Sequence, residues 1–259
     1  MLTTVQKREF YDRGYIVIRG AIPRVMVNAA RQAINHSIGN VGQSGEDMGN
    51  HRAAQFCRDL HNTPVITDLF NRSPVISLAE SLMGEGNLQT PIGGAQVAPR
   101  FPVVPGEDPP EFRGHLDGMG NGKNGMAKGV YRRGFTAFAV VYLAEVPESY
   151  SGNYTVWPRS HRFFEDYFKR EGLEVLENGT PRVELPEGPD MITGQAGDLV
   201  LAHHQVIHTG GPNTSPDIRY AAIARLRHVD CADNGNDGFL DIWREFPGVR
   251  EVMDETVAV

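Results

Sequence analysis

Cysteine is scarce in this sequence, and long hydrophobic runs are missing. The 259 residues contain 2 cysteines, Cys57 and Cys231, which are too few for a disulfide framework and lack the spacing of zinc ligands. We predict free thiols, which fit a reducing compartment. The longest apolar run, 136–144, is far too short to span a bilayer, and 1–8 contain no apolar segment of a signal peptide. These absences predict a soluble cytoplasmic protein.

Basic residues are also in deficit, because 25 Lys and Arg face 32 Asp and Glu and the formal net charge is −7. Surfaces that bind nucleic acid or anionic membranes need clustered Lys and Arg, so neither partner is expected. The 29 glycines and 17 prolines exceed average usage and predict many turns and few long helices. At this length an all-β barrel or sandwich often forms one domain.

The predicted elements change in character near residue 87. Helices are predicted over 3–13, from Pro23 to Gly39, and over 75–83, with a strand at 15–18. Further strands are predicted at 87–101, 135–146, 153–158, 182–185, 198–207 and 219–229. A helical N-terminal third followed by many short strands predicts a mainly β domain, 1–259, with helices packed outside a sandwich or barrel.

A glycine-rich stretch, 118–129, lies just before the second of these strands. It lacks the Gly-Lys-Ser/Thr ending of a phosphate-binding loop and no helical pattern follows it. We therefore predict a flexible loop that could act as a lid. Arg132 and Arg133 close this loop and are predicted to be solvated, with contact to an anionic substrate as the alternative.

His115 and Asp117 form a His-x-Asp pattern, and His208 lies at the end of a predicted strand. Residues i and i+2 of an extended segment point to the same side, so the imidazole and the carboxylate can converge on one ion. The pattern alone also arises from a surface histidine beside a turn aspartate. Two imidazoles and one carboxylate leave three positions of a metal open, which suits iron(II) that must bind a bidentate co-substrate and dioxygen. Arg219, eleven residues after His208, is placed to bind the far carboxylate of a 2-oxo acid.

The segment Gly152-Asn-Tyr-Thr-Val-Trp-Pro-Arg-Ser-His161, followed in order by Gly197, Asp198, His203, His208, Asn213 and Arg219, resembles the phytanoyl-CoA dioxygenase (PhyH-like) family. These are Fe(II)/2-oxoglutarate dioxygenases. The resemblance implies a double-stranded β-helix (jelly-roll, cupin-like) core from about residue 87. It also implies that His115, Asp117 and His208 bind iron and that Arg219 binds the C5 carboxylate of 2-oxoglutarate.

The resemblance also marks the strand before the first ligand, where Gln96 and Arg100 alternate onto one face. Family members commonly contact the co-substrate from this strand, so both residues are candidates, with a solvated strand face as the alternative. Two positions depart from the family pattern. Arg159 stands where glycine is usual, so that it either reshapes the turn or faces the substrate, and Gly210 stands where a small hydroxyl residue is common.

The implied activity is that of a dioxygenase that uses Fe(II), 2-oxoglutarate and O2 and releases succinate and CO2. Its expected substrate is an unactivated C–H bond of a small molecule, either an acyl-CoA, an amino acid or a natural product. Because Asp117 is present, hydroxylation is favoured over halogenation. Desaturation, epimerisation, ring closure and a non-catalytic cupin-like binding protein stay open as alternatives. A monomer or a homodimer is expected.

Several other residues are assigned supporting places. His203 and His204 are adjacent on a strand and are predicted not to be ligands. Asp198 is predicted to stabilise a turn. Ser160 and His161 are predicted to stabilise the turn after Trp157. Arg225 shares the strand parity of Arg219 and is predicted to lie at the rim of the pocket, paired with a carboxylate.

Overall fold

Helices dominate the start of the chain in the computed structural model, which describes residues 1–41, 56–122 and 125–254. In α1 (Thr4–Arg13) the Thr3 side chain accepts a hydrogen bond from the Gln6 amide and the Gln6 side chain bonds back to Thr3, which confirms the predicted capping box. The other early helices are α2 (Arg24–His36), which continues as a π-helical turn (Ser37–Val41), α3 (Pro64–Asn71) and α4 (Val75–Met83).

Eight strands form two antiparallel sheets in the part of the chain that the structure describes. They are β1 (Tyr15–Ile18), β2 (Gln96–Val97), β3 (Ala137–Tyr142), β4 (Tyr154–Val156), β5 (Asp190–Ile192), β6 (Leu199–His203), β7 (His208–Gly210) and β8 (Ala221–Leu226). The larger sheet has the order β1-β6-β3-β8-β2, and the smaller one has the order β5-β4-β7. The remaining helices are α5 (Ser160–Glu171), α6 (Cys231–Asn234) and α7 (Pro247–Asp254).

The side chains of the larger sheet divide between two hydrophobic clusters. From β3, Ala139 and Val141 join a cluster that contains the buried residues of α1 to α4. Phe138, Val140 and Tyr142 instead join a cluster with residues of the smaller sheet. This alternation follows from the two-residue period of a strand, and it leaves the inner face of β3 turned toward β4.

The sequence analysis predicted the helices at the start of the chain better than the later ones. The helix over 75–83 and the strand at 15–18 are confirmed, whereas 182–185 contain no strand, and α3, α5 and α7 were not predicted. More of the described residues lie in helices than in strands, so the fold is mixed rather than mainly β. Both cysteines are free, as predicted, and both are buried. No helix among the described residues is long and apolar enough to cross a membrane.

The first residues of the glycine-rich stretch pair with the residues that follow it. The Gly120 amide donates to the Val130 carbonyl at 2.7 Å and the Arg132 amide donates to the Gly118 carbonyl at 2.8 Å, so 118–120 and 130–132 form an antiparallel pair. The predicted flexible loop includes 123–124, which lie outside the described residues, and its flexibility and closure over a substrate stay predictions.

Arg133 corrects the prediction that it is solvated. Its guanidinium forms an ion pair with Glu245 in which each side chain is only 2% exposed, and its Nε donates to the Gly235 carbonyl at 2.8 Å. The C-terminal part of the chain folds back over the start of β3 and covers Arg133, while Arg132 stays exposed. Nothing in the sequence close to Arg133 indicates this long-range partner.

Candidate metal centre and anion pocket

His115, Asp117 and His208 come together at one end of the space between the sheets. One ligand atom from each lies within 4.8 Å of the others, which makes the set a group that could hold a metal ion. His115 Nε2 lies 3.4 Å and His208 Nε2 lies 3.9 Å from Asp117 Oδ1. Reciprocal backbone hydrogen bonds of 3.0 and 3.2 Å join His115 to His208, so an extended segment holds the His-x-Asp pattern beside β7.

The orientation of His208 is set by its other ring nitrogen. Nδ1 lies 3.0 Å from the Val206 carbonyl, which can only accept, so Nδ1 carries the proton and Nε2 keeps its lone pair for a ligand. Burial, helped by the nearby His115, lowers the pKa of His208 to about 4. A neutral imidazole is the form that binds a metal.

Asp117 is held as a carboxylate. Burial alone would raise its pKa, but the hydrogen bond with His115 and the charges of Arg225 and His208 outweigh burial and hold the pKa well below its usual range. Arg225 Nε and Nη2 both donate to Asp117 Oδ2, at 2.9 and 2.7 Å. The other oxygen, Oδ1, therefore faces the two imidazoles.

The motif that ends at His161 stabilises the segment before His208. The Ser160 hydroxyl donates to the Trp157 carbonyl at 2.6 Å and accepts from the Ile207 amide at 2.9 Å. His161 Nε2 lies 3.1 Å from the Tyr11 carbonyl. The Ser160 contact agrees with its predicted role in the turn after Trp157, whereas the His161 side chain contacts α1 instead of that turn.

Arg159 does not face the metal centre. It has a φ of +63° and forms surface ion pairs with Asp12 at 2.9 Å and Glu187 at 3.2 Å. Arg159, which stands where the family usually has glycine, was predicted either to reshape the turn or to face the substrate. The left-handed backbone supports the reshaped turn.

Arg219 is buried, with only 4% of its surface exposed, and it lies beside Arg100. Their backbones exchange hydrogen bonds of 2.8 and 3.0 Å. Arg219 donates from Nε to the Gly152 carbonyl at 2.5 Å and from Nη1 to the Ala98 carbonyl at 2.7 Å. Burial lowers the pKa of Arg219 to about 9, helped by the charge of Arg100, and burial also lowers the pKa of Arg100.

No carboxylate among the described residues forms an ion pair with either arginine. Burying a charge without a counter-charge costs several kcal/mol, so this pair of guanidinium groups is suited to an anion that arrives from outside.

Glycine at two positions makes room for Arg100. A Cβ at Gly152 would lie 2.8 Å from Arg100 Cβ, and a Cβ at Gly210 would lie 2.1 Å from Arg100 Nη2. The guanidinium therefore fills the space that the family's hydroxyl side chain would occupy. Gly210 lies two residues after His208 on β7, so the two positions share a face and are separated by roughly 7 Å. This distance matches the length of a short dicarboxylic acid that binds a metal at one end.

Tyr154 lies between these two ends and was given no role in the sequence analysis. It is directly opposite Gly210 in the β4–β7 register, and its ring centroid lies 5.7 Å from that of His208. Its hydroxyl is buried without a hydrogen-bond partner in the described part of the chain, and burial raises its pKa well above the usual value. The sequence carried one signal for this position, because Tyr154 and Val156 are two residues apart on a strand and therefore point to the same face.

Gln96 contacts Arg225. Its Oε1 accepts a hydrogen bond of 3.4 Å from Arg225 Nη1. Arg225 does pair with a carboxylate, as predicted, but that carboxylate is the candidate ligand Asp117 itself. Contact between Gln96 and a co-substrate stays a prediction.

These residues fit an iron(II) ion with a 2-oxo acid. Two imidazole nitrogens and one carboxylate oxygen form the facial set that iron(II) enzymes use, with the other positions open. Within the described residues, the Arg100–Arg219 pair has no carboxylate partner and the buried Tyr154 hydroxyl has no hydrogen-bond partner.

Two of the solved structures with a similar fold are described as non-haem enzymes. The epimerase SnoN from nogalamycin biosynthesis, described as alpha-ketoglutarate dependent, matches with a TM-score of 0.56 at 17% identity, over 86% of this chain and 81% of its own. The carbocyclase SnoK of the same biosynthesis matches with a TM-score of 0.51 at 20% identity, over 87% and 83%. HygX from Streptomyces hygroscopicus, with nickel and 2-oxoglutarate bound, matches with a TM-score of 0.54 at 14% identity, over 88% of each chain.

These likenesses show a shared fold. A comparison with profiles of protein families gives no match, and a comparison with curated protein sequences gives none either.

Proposed function

We propose that the protein is a non-haem iron(II) enzyme that uses 2-oxoglutarate and dioxygen. The observation that carries this proposal is the convergence of His115, Asp117 and His208. They lie beside the Arg100–Arg219 pair, whose Arg100 guanidinium lies over Gly210, two residues after His208 on β7, and which has no carboxylate partner among the described residues. The PhyH-like resemblance of the sequence supports the proposal, as do the two antiparallel sheets, which are consistent with a jelly-roll core. The single domain over 1–259 and the monomeric or homodimeric state are part of the same proposal.

The chain's own residues have separate tasks in this proposal. His208 Nε2, His115 Nε2 and Asp117 Oδ1 hold the metal. Arg219 and Arg100 bind the C5 carboxylate of 2-oxoglutarate, where a charge-assisted hydrogen bond is worth about 1.5–3 kcal/mol. When bound, iron(II) and 2-oxoglutarate supply the oxidation of a C–H bond by dioxygen, with release of succinate and CO2.

The walls between these two ends keep water away. Tyr154 and Phe138 belong to the hydrophobic cluster between the sheets, and the Phe138 ring centroid lies 4.5 Å from that of His208. The Tyr154 hydroxyl is the buried donor available to an oxygen of the co-substrate. A dry site strengthens each of these polar contacts.

We propose hydroxylation of a small molecule as the reaction, since Asp117 fills the ligand position that halogenases leave open. The solved structures of similar fold broaden the range of possible reactions, since SnoN is an epimerase and SnoK a carbocyclase. HygX has also been solved with hygromycin B bound, and that structure matches this chain with a TM-score of 0.53. Natural products are therefore the substrate class to test first, with acyl-CoAs and amino acids next.

The first test is anaerobic addition of 2-oxoglutarate to the Fe(II)-loaded protein. We expect a weak visible charge-transfer band in the wild type, no band in His208→Ala because a metal ligand is lost, and a weakened band in Arg219→Ala because the C5 carboxylate loses its partner. Bound iron without a band in the wild type would remove the 2-oxoglutarate mechanism and favour a cupin-like binding protein.

Gly210→Ala is expected to weaken 2-oxoglutarate binding at least about tenfold, because it displaces the guanidinium of Arg100 and loses a bond worth about 1.5–3 kcal/mol. The new Cβ meets the far end of a flexible side chain, 2.1 Å from Arg100 Nη2, so the fold is expected to persist. Anaerobic titration of the Fe(II) protein measures the Kd. Gly188→Ala is the matched control, since a Cβ there meets nothing within 4 Å, and equal Kd values for both variants would exclude Arg100 from the site.

A further inference from the structure

Arg225 contacts the one oxygen of Asp117 that does not face the imidazoles. Its Nε and Nη2 donate to Oδ2 at 2.9 and 2.7 Å, while Oδ1 is the oxygen that lies 3.4 Å from His115 Nε2 and 3.9 Å from His208 Nε2. The two oxygens of this carboxylate therefore have different partners before any metal arrives.

The guanidinium is held in this orientation by neighbours on other strands and loops. Its Cζ lies 5.7 Å from the ring centroids of Phe135 and Phe138, and its Nη1 donates to Gln96 Oε1 at 3.4 Å. Planar stacking and a fork of donors are properties that arginine has and lysine lacks. Arg225 is thus fixed over Asp117 and is not a mobile surface charge.

We propose that Arg225 is a positioning residue that keeps Asp117 a one-oxygen ligand of the metal. A carboxylate can bind a metal through one oxygen or both, and binding through both would fill one of the positions that a facial set leaves open. With two N–H donors on Oδ2, only Oδ1 is available. This inference rests on the proposed function, in which a bidentate 2-oxo acid takes two open positions and one must remain.

Two simpler roles fit the contacts less well. A stabilising surface ion pair is a weak explanation, because the Arg225 side chain is 38% exposed and such pairs contribute about 0–1 kcal/mol. An anchor for an anionic substrate would have to use the Nη1–Nη2 edge, because Asp117 already uses the Nε–Nη2 edge, and Nη1 already donates to Gln96 Oε1.

The test counts the water molecules on a bound metal. Mn(II) alone is added to the full-length wild type, Arg225→Met and Arg227→Met, and the relaxation of water protons is measured at saturation. Arg227 is the matched control, because it lies two residues further along the chain, is exposed, and donates to the Gly134 carbonyl at 2.8 Å.

We expect Arg225→Met to show one coordinated water fewer, because both oxygens of Asp117 then bind. Since a facial set leaves three positions to water, the relaxation enhancement should fall by about a third, while Arg227→Met matches the wild type. Arg225→Ala gives the same measurement should methionine fail to pack between the two phenylalanine rings. An unchanged enhancement in a folded, Mn(II)-saturated Arg225 variant would overturn the proposal.

The outcome is separable from that of the proposed function, since no 2-oxoglutarate is present. A wild type that binds Mn(II) but never yields the charge-transfer band with Fe(II) would count against the co-substrate and leave Arg225 in its role. A normal charge-transfer band in the wild type, with an unchanged number of coordinated waters in Arg225→Met, would support the co-substrate and count against the role of Arg225.

Discussion

Arg133→Met is expected to lower the free energy of unfolding by about 3–5 kcal/mol, the usual cost of removing one partner from a buried ion pair. Arg133 and Glu245 are each 2% exposed, so the substitution leaves a carboxylate in the interior. Thr136 and Asn234 also donate to this carboxylate and cannot replace the lost charge. Urea unfolding of the purified protein measures the difference.

Arg132→Met is the matched control, because Arg132 is the adjacent, exposed residue and surface substitutions usually change stability by less than about 0.5 kcal/mol. A double variant, Arg133→Met with Glu245→Leu, should recover much of the loss, since apolar replacement of both partners is often close to neutral. If Arg133→Met lowered the free energy of unfolding no more than the control Arg132→Met does, the ion pair would not stabilise the fold.

The convergence of the candidate metal ligands could be predicted from the sequence, because the spacing of His115 and Asp117 is local and the later motif has a fixed order. The i, i+2 spacing of His115 and Asp117 places two ligands on one side of an extended segment, and the order of the later motif selects His208. The start of the fold was equally local, since Thr3 and Gln6 define the beginning of α1 within one turn.

The position of Tyr154 and the identity of the carboxylate that pairs with Arg225 could not be predicted, because both depend on contacts between distant segments. Tyr154 faces the pocket because it is opposite Gly210, and Arg225 reaches Asp117 across 108 positions of sequence. Arg133 was placed in solvent for the same reason, since its partner lies 112 positions away. Local patterns predict which residue is polar but not which distant residue meets it.

Helix α5 was not predicted, although the sequence contains a helical pattern there. Phe164 and Phe168 are four residues apart, which is the spacing of one helix face, and both are buried. The family motif drew attention to Ser160 and His161 as turn residues, although they are the first residues of this helix. The left-handed conformation of Arg159, immediately before it, marks the turn.

Three buried histidines outside the metal centre are expected to make the fold sensitive to acid. His161, His203 and His204 adjoin one another, with ring centroids 5.6 Å apart for the first two and 4.3 Å apart for the last two. Burial lowers the pKa of His203 to about 3 and holds the pKa values of the other two well below the usual value. In the folded protein all three are therefore neutral.

The direction of the pH effect follows from proton linkage. An unfolded histidine has a pKa of about 6.5, so below that pH the unfolded chain binds protons that the folded chain cannot. The stability is fully present above pH 6.5 or so and falls with decreasing pH, by about 1.4 kcal/mol per pH unit for each histidine. The loss continues until the pH reaches the lowered pKa of the folded state.

His204→Leu should remove one third of this sensitivity and leave stability at neutral pH unchanged or raised. Neither ring nitrogen of His204 has a hydrogen-bond partner in the described part of the chain, and the ring lies among Phe135, Phe239 and His203, so an apolar side chain suits the site. Urea unfolding at pH 7.5 and pH 5 is carried out with a chelator present, to exclude metal binding by the candidate ligand histidines. The loss of stability between these two pH values should be smaller by about 2 kcal/mol in the variant, since pH 5 lies about 1.5 units below the unfolded pKa. The same loss in both proteins would mean that His204 takes up its proton without unfolding.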